Sequence, residues 1–402
     1  MKKQTVNGTD VYTIELSSEQ YNIPFFSQNK NKNPWVNYGD DNQMPEFLLN
    51  LSTESALHPA ILDKKVLLDM GNDIIPVTPD EKTSNFIKNI NQYQNLYQLN
   101  ERVMRDLEVF GGSFLEVTWT KGASNIKRTI ASVSHMPYQR FRSGWMDENN
   151  IVNEYYYAEK WKRYMAYSDY TIKPAFNKDN ITDIPQILYL KKYNVQSFYY
   201  PNPVYFGAIN DINTLAETSI FNNSNIKNSL NPGVYIIFKE VPKNKEEKDK
   251  IIEGLVRRHK GAKKAGNATV FFADGTNNVP EIKQIEANKM HELFKELRNT
   301  STSNVLISHS MPRVVAGEET QGALGSQKEV LEQMELFKQQ YTSKQQNFVL
   351  QYYNMLMEIN GLQPLQFVNE KPSLRMYSEQ FLQATMTREE LRTMMGLTNN
   401  QQ

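Results

Sequence analysis

The chain has 402 residues, no cysteine, and 45 basic side chains against 45 acidic ones. The missing cysteines exclude disulfides, thiol nucleophiles and Cys-ligated zinc, and the cancelled charge excludes a global field drawing the chain to nucleic acid or membrane. With 39% hydrophobic and 22% charged residues it reads as a globular α+β protein long enough for two or more lobes, and a neutral subunit can pack against its own copies.

In chain order, residues 1–35 are polar and aperiodic and are expected to form an arm or edge element. The start, Met1-Lys2-Lys3-Gln4-Thr5, is not followed by an apolar stretch, so no signal peptide is read. The turn-rich stretch Asn33 to Asn42 leads into a helix near Pro45 to Leu51 and another from Pro59 to Met70, patterned by Ile61, Lys65, Leu68 with Leu62, Val66 and Met70. Leu96, Leu99, Val103, Met104, Leu107 and Phe110 predict a further helix, closed by Gly111-Gly112 and followed by a strand from Phe114 to Trp119. Short runs broken by Pro and Asn give 126–200 a β texture, and 36–200 reads as one α+β lobe.

After Tyr200-Pro201-Asn202-Pro203 a long helix is predicted, stopped by Asn231-Pro232-Gly233. Then come a strand Val234 to Phe238, a charged helix from Lys245 to Lys260, a strand Ala268 to Phe272 and a third at Ile282 to Ile285. The next helix carries Met290, Leu293, Phe294 and Leu297 at the spacing of a buried stripe. A compact β–α–β insert between two helices has the layout of a stalk with a tip. Residues 312–327 are Gly-rich and aperiodic, and the strongest helix of the chain follows, Lys328 to Asn360. Its stripe is Val330, Met334, Phe337, Tyr341, Phe348, Tyr352, Met355 and Ile359, with Gly361 as its C-terminal cap. At the helical rise this element is roughly 50 Å long. Thr387 is placed to cap a short helix near the C-terminus.

Tests for chemistry fail. Gly261 to Gly266 has the outer spacing of a phosphate loop, but Asn267-Ala268 stand where Lys and Ser/Thr are required. His291-Glu292-Leu293-Phe294-Lys295 lacks the second histidine of a zinc helix, and the other histidines show no ligand spacing. No nucleophile elbow surrounds a serine. No catalytic residue, metal ligand or cofactor is therefore assigned, and no run is long enough to span a membrane. Residues 243–264 hold nine basic side chains against four acidic ones, which suits phosphates, an acidic partner surface or an ordinary solvated helix face. The aromatic stretch 155–170 fits lobe packing better than base stacking.

The ordered motifs resemble the portal family of tailed phages of the HK97 type. They are Tyr38-Gly39-Asp40-Asp41-Asn42-Gln43-Met44-Pro45, Tyr200-Pro201-Asn202-Pro203, Asn231-Pro232-Gly233 and Lys260 to Gly266 before Thr269-Val270-Phe271-Phe272. His309-Ser310-Met311-Pro312-Arg313-Val314-Val315-Ala316-Gly317 follows, then Thr387-Arg388-Glu389-Glu390-Leu391-Arg392 to Gly396-Leu397. The resemblance implies an N-terminal arm (1–35), a first part of an α+β wing (36–203), stem helices (204–231 and 286–311) and a small β-α-β clip (232–285). It further implies a tunnel loop (312–327), a long kinked wing helix with return strand (328–370) and a minimal helical crown (371–402).

Further expectations follow from it. The subunit would form a ring, usually dodecameric, at one capsid vertex of a virion, be assembled in the host cytoplasm and pass double-stranded DNA for packaging and ejection. Its partners would be the large terminase, which carries the ATPase, a head-tail adaptor and the major capsid or scaffold protein. Glu318, Glu319, Thr320, Gln321, Ser326 and Gln327 would line the DNA channel, the acids repelling phosphate while the neutral groups bond weakly to DNA of any sequence. Arg257, Arg258, Lys260, Lys263 and Lys264 would dock the motor or adaptor. Two rivals are a DNA-binding or processing module using the 243–264 patch and another virion structural subunit.

Overall fold

The computed structural model describes residues 2–6, 9–13, 33–39, 41–121, 128–162, 165, 169–227, 234–238, 268–272, 287–318, 327–369, 387 and 389–390. Its contacts divide the chain into two units, residues 1–23 with 209–304 and residues 24–208 with 305–402.

In the larger unit the local signals act as their chemistry dictates. α1 (Met44–Glu54) and α2 (Leu57–Asp69) lie side by side, followed by β3 (Asp73–Pro76) and α3 (Glu81–Lys88). The strand number allows for β1 and β2 of the smaller unit. α4 (Leu96–Phe110) opens on a reciprocal capping box between Asn95 and Gln98, which satisfies two of its orphan N–H groups. It ends on Gly111 at φ 83°, where a Cβ would also come within 2.9 Å of the Asn202 carbonyl oxygen. Only glycine meets both demands.

β4 (Gly112–Trp119) follows and is the centre of an antiparallel sheet between β5 (Ile130–Met136) and β9 (Gln186–Lys191). A second antiparallel sheet is β6 (Phe141–Ser143), β7 (Glu154–Tyr157) and β8 (Thr171–Pro174). β12 (Leu365–Val368) pairs antiparallel with β3, tying the segment after the long helix to the one after α2. The main core joins α4, the β5-β4-β9 sheet and the C-terminal half of the long helix through Leu99, Val103, Leu115, Val133, Tyr353 and Leu356.

The motif 38–45 is a structural clamp. Asn42, at φ 64°, accepts from the Tyr38 N–H and from Arg142 Nε (2.7 Å), while Arg142 Nη2 donates to the Asn42 carbonyl (2.7 Å). Tyr38 stacks on Tyr200 at 4.0 Å and donates to the Pro201 carbonyl, which ties this motif to the Tyr200-Pro201 turn. Of the aromatic stretch, Tyr155, Tyr156 and Trp161 are buried, so these rings present no face to a base; Tyr164 and Tyr167 lie outside the described residues.

In the smaller unit β1 (Lys2–Val6) and β2 (Thr9–Thr13) form an antiparallel hairpin, and β2 lies beside β11 (Ala268–Phe272). β10 (Val234–Phe238) runs parallel to β11, which requires a crossover between them. The charged helix expected there and the strand at 282–285 lie outside the described residues. α5 (Ile209–Lys227) starts a few residues later than predicted, because a 3₁₀ turn at Phe206–Ala208 precedes it; residues 228–231 lie outside the described residues. α6 (Ala287–Ser308) meets α5 through Phe221 and Phe294, with ring centroids 4.7 Å apart, and through Asn304 Nδ2 donating to Asp211 (3.1 Å). Of the predicted stripe on α6, Phe294 is half-buried and Leu297 is 40% exposed, while the side chains of Met290 and Leu293 lie outside those described.

Candidate functional site

The segment from His309 to the long helix is where sequence placed the channel. α7 (Arg313–Ala316) ends on Gly317 at φ 83°, and the Glu318 N–H then donates to the Arg313 carbonyl (3.0 Å). Glu318 is half-buried. Glu319, Thr320, Gln321 and Ser326 lie outside the described residues, and Gln327 is the first residue of α8 (Gln327–Phe337). Arg257, Arg258, Lys260, Lys263 and Lys264 also lie outside them. Of the sequence-chosen residues, only Glu318 and Gln327 are therefore among those described.

It does show what anchors the helix they lead into. A π turn, Lys338–Thr342, separates α8 from α9 (Ser343–Ile359). A π turn holds one residue more than an α turn, so it rotates everything after it by about 100° relative to an unbroken helix. The consequence is visible in the stripe. Past the turn the buried residues are Gln345, Gln346, Val349, Tyr353, Leu356 and Met357, one step on from the predicted Phe348, Tyr352 and Met355, which are half-buried at the rim of the core.

The turn aims Tyr341 at a buried ionic cluster. Its hydroxyl donates to Glu108 (2.7 Å), and its ring lies 4.0 Å from the Lys65 ammonium. Lys65 and Glu108 form a direct ion pair with side chains 0% and 1% exposed, and Lys192 Nζ stands 3.9 Å from the other Glu108 oxygen. Burial works to raise the Glu108 carboxyl, but Lys65 and Lys192, with the hydrogen bonds from Lys65 and Tyr341, hold it below its usual value. Asp69, also buried, goes the opposite way: burial first, then the charge of Glu108, push it well above the carboxylate range. Two carboxyls in one buried cluster are thus shifted in opposite directions, Glu108 towards its charged form and Asp69 away from it.

Gln346 completes the anchor. It donates to the Asp69 carbonyl (3.1 Å) and exchanges hydrogen bonds with Asn369 (2.8 and 2.9 Å) beside Gly71. Two clefts flank the π turn. One, of about 360 Å³, lies between Pro312 and Leu336, Phe337 and Tyr341; the other, of about 490 Å³, lies between Leu67, Tyr97 and Met334.

Sequence reasoning missed this cluster, yet the signal was present. Lys65 sits in the apolar stripe of α2 and Glu108 between Leu107 and Val109 of α4, and a charge on a core-facing position requires a partner. The histidines conceal a second pairing. His58 Nδ1 and His309 Nε2 are 3.0 Å apart, both residues are 0% exposed, and Tyr205 packs against both rings. A third constellation, Asp106 with His135 (2.7 Å) and Ser113 (3.4 Å), has the residue types of an acyl-transfer triad. Both partners reach the same Asp106 oxygen, however, so the required serine–histidine hydrogen bond is not made. No group of three or more metal-ligating side chains occurs among the described residues, and no described helix is long and apolar enough to cross a membrane. What the site offers is mechanical: a buried charged latch at the base of a long helix.

No protein-family model matches the chain, and no curated protein matches it. Solved structures do. A chain in the virion of the native gene transfer agent particle aligns over 87% of this chain and 93% of its own, with TM-score 0.53 and 13% identity. A chain from the neck of the empty particle, computed with C6 symmetry, aligns over 88% and 94% with TM-score 0.55 and 12% identity. A crystal structure of an HK97 family phage portal protein from Corynebacterium diphtheriae aligns over 84% and 97%, at TM-score 0.42 and 14% identity. The chain thus shares its fold with the two gene transfer agent chains, and the mixed helix and sheet expected from the sequence agrees with that fold.

Proposed function

We propose that the chain is a portal subunit, one member of a ring at a capsid vertex through which double-stranded DNA is packaged and ejected. The observation that supports this most is the near end-to-end likeness to components of a gene transfer agent virion and neck. The ordered sequence motifs point the same way. In this reading the Gly-rich segment 316–327 faces the DNA, α8 and α9 carry it, and the anchor at Lys65, Glu108 and Tyr341 fixes their base. The basic residues from Arg257 to Lys264 meet the terminase or the head-tail adaptor, and the subunit resides in the virion. Ring formation is tested by negative-stain electron microscopy of the purified protein, where closed rings with an axial hole support the reading.

Two finer expectations follow. Deleting 318–325 leaves rings intact and impairs packaging, since the neutral and acidic side chains there keep DNA moving without binding it. Normal packaging by that deletion removes the channel role. Reversing charge at Arg257, Arg258, Lys260, Lys263 and Lys264 is expected to weaken binding to the motor or adaptor at least tenfold, and the effect should shrink as salt rises. Unchanged binding makes the patch a solvated face.

A further inference from the structure

Residues 193–210 contain no charged side chain, eighteen positions in a chain where more than a fifth are charged. The first part is an ordered loop after β9. The Gln196 N–H donates to Asn194 Oδ1 (2.9 Å), Asn194 Nδ2 donates to the Tyr200 carbonyl (2.9 Å), and the N–H groups of Tyr199 and Tyr200 share the buried Ser197 hydroxyl oxygen (3.2 Å each). The two flanking cations are directed onto the protein's own acceptors: Lys191 donates to the Phe198 carbonyl and Lys192 points to Glu108. So braced, the loop holds Tyr193, Val195 and Phe198 out at 85%, 82% and 66% exposure. A hydrogen-bonded loop that leaves two aromatic rings and a valine in water is costly for an isolated protein, and aromatic side chains are the kind enriched at interface cores.

We infer that this loop is an anchor of the contact between neighbouring copies of this chain; the inference rests on the ring reading above. Charge decides the occupant. Phosphates need cations, and the loop presents none, so nucleic acid is a poor match. Vesicle binding by a surface patch draws on a basic rim, which these two lysines, directed onto the protein's own acceptors, do not supply. An uncharged apolar patch is matched by a partner of the same kind, and the largest apolar interfaces are those between permanently associated subunits. A chain whose own net charge is zero meets its copies without repulsion.

The test compares wild type with the Val195→Glu/Phe198→Glu variant by mass photometry across a dilution series. Circular dichroism and melting on both confirm that the exposed loop tolerates the change. The variant is expected to need a concentration on the order of a hundredfold higher to form rings, the effect of losing two interface side chains. A second measurement needs no loss of assembly. The chain has no cysteine, so Phe198→Cys is a unique label, expected to react with a maleimide freely in the monomer and at least tenfold more slowly in the ring. Rings from the double variant at the wild-type concentration, or equal labelling in ring and monomer, overturn the inference while leaving the ring reading intact; the loop then serves a different protein. A wild type that forms no ring overturns both.

Discussion

Replacing Glu108 by glutamine is expected to cost about 3–5 kcal/mol of stability, the penalty for leaving a fully buried cation without its counter-charge. Lys65 is 0% exposed, and burial raises the other nearby carboxyl, Asp69, which disfavours its charged form as a replacement counter-charge. Tyr341→Phe removes one hydrogen bond to a charged acceptor and should cost about 1.5–3 kcal/mol. The double variant Lys65→Met/Glu108→Met should be less damaging than Glu108→Gln, since an apolar pair of similar volume needs no solvation. Urea unfolding of the four proteins measures this. A Glu108→Gln loss below about 1 kcal/mol would mean that the cluster is not dry. Because Tyr341 belongs to the π turn, amide exchange at 338–342 should rise in Glu108→Gln before exchange in the core of α9.

The second large effect is acid lability through the buried histidine pair. Burial first, then the charge of Lys65, lowers His58 to about 3 and holds His309 well below its usual value, with His58 adding to the latter. Both imidazoles fold neutral, whereas in the unfolded chain they take up protons near pH 6.5. Between those values the unfolded state binds more protons, so stability is whole above about pH 6.5 and is lost as pH falls. The loss is about 1.4 kcal/mol per pH unit for each imidazole. His58→Gln/His309→Gln should flatten the profile between pH 6 and 4.5 by about two protons' worth of slope, even if it is less stable at pH 7. Asp106, raised by burial, contributes with the opposite sign, but it does so in both proteins and drops out of the difference. Parallel profiles for the two proteins would show that the pair is open to water.

Much of this fold is written locally. The capping box at Asn95, the left-handed glycine at 111 and the caps at Gly361 and at Thr387, whose hydroxyl accepts from the Glu390 N–H, depend on side chains within four residues of one another and so can be read in sequence. The rotation of the stripe in α9 cannot be read that way. A π turn leaves no compositional mark, and a repeat near 3.5 residues continues through Lys338–Thr342 as if the helix were regular. The cluster of Lys65, Glu108, Lys192 and Tyr341 is hidden for a different reason: its members are separated by tens to hundreds of positions and meet only when α2, α4, the turn after β9 and the long helix converge. Their residue types, charges among apolar neighbours, announced a need for partners without saying which. The histidine pair gave still less, because its members are 251 positions apart.

The central claim is that this chain works as a closed ring, and one measurement addresses it directly. Mass photometry of the purified protein, repeated at low and high salt with and without double-stranded DNA, should give a single species at a closed multiple of the 46.7 kDa subunit, with weak and sequence-independent DNA affinity. A uniform monomer that holds DNA tightly at low salt and releases it at high salt would contradict the account and favour a nucleic-acid module built on the 243–264 patch.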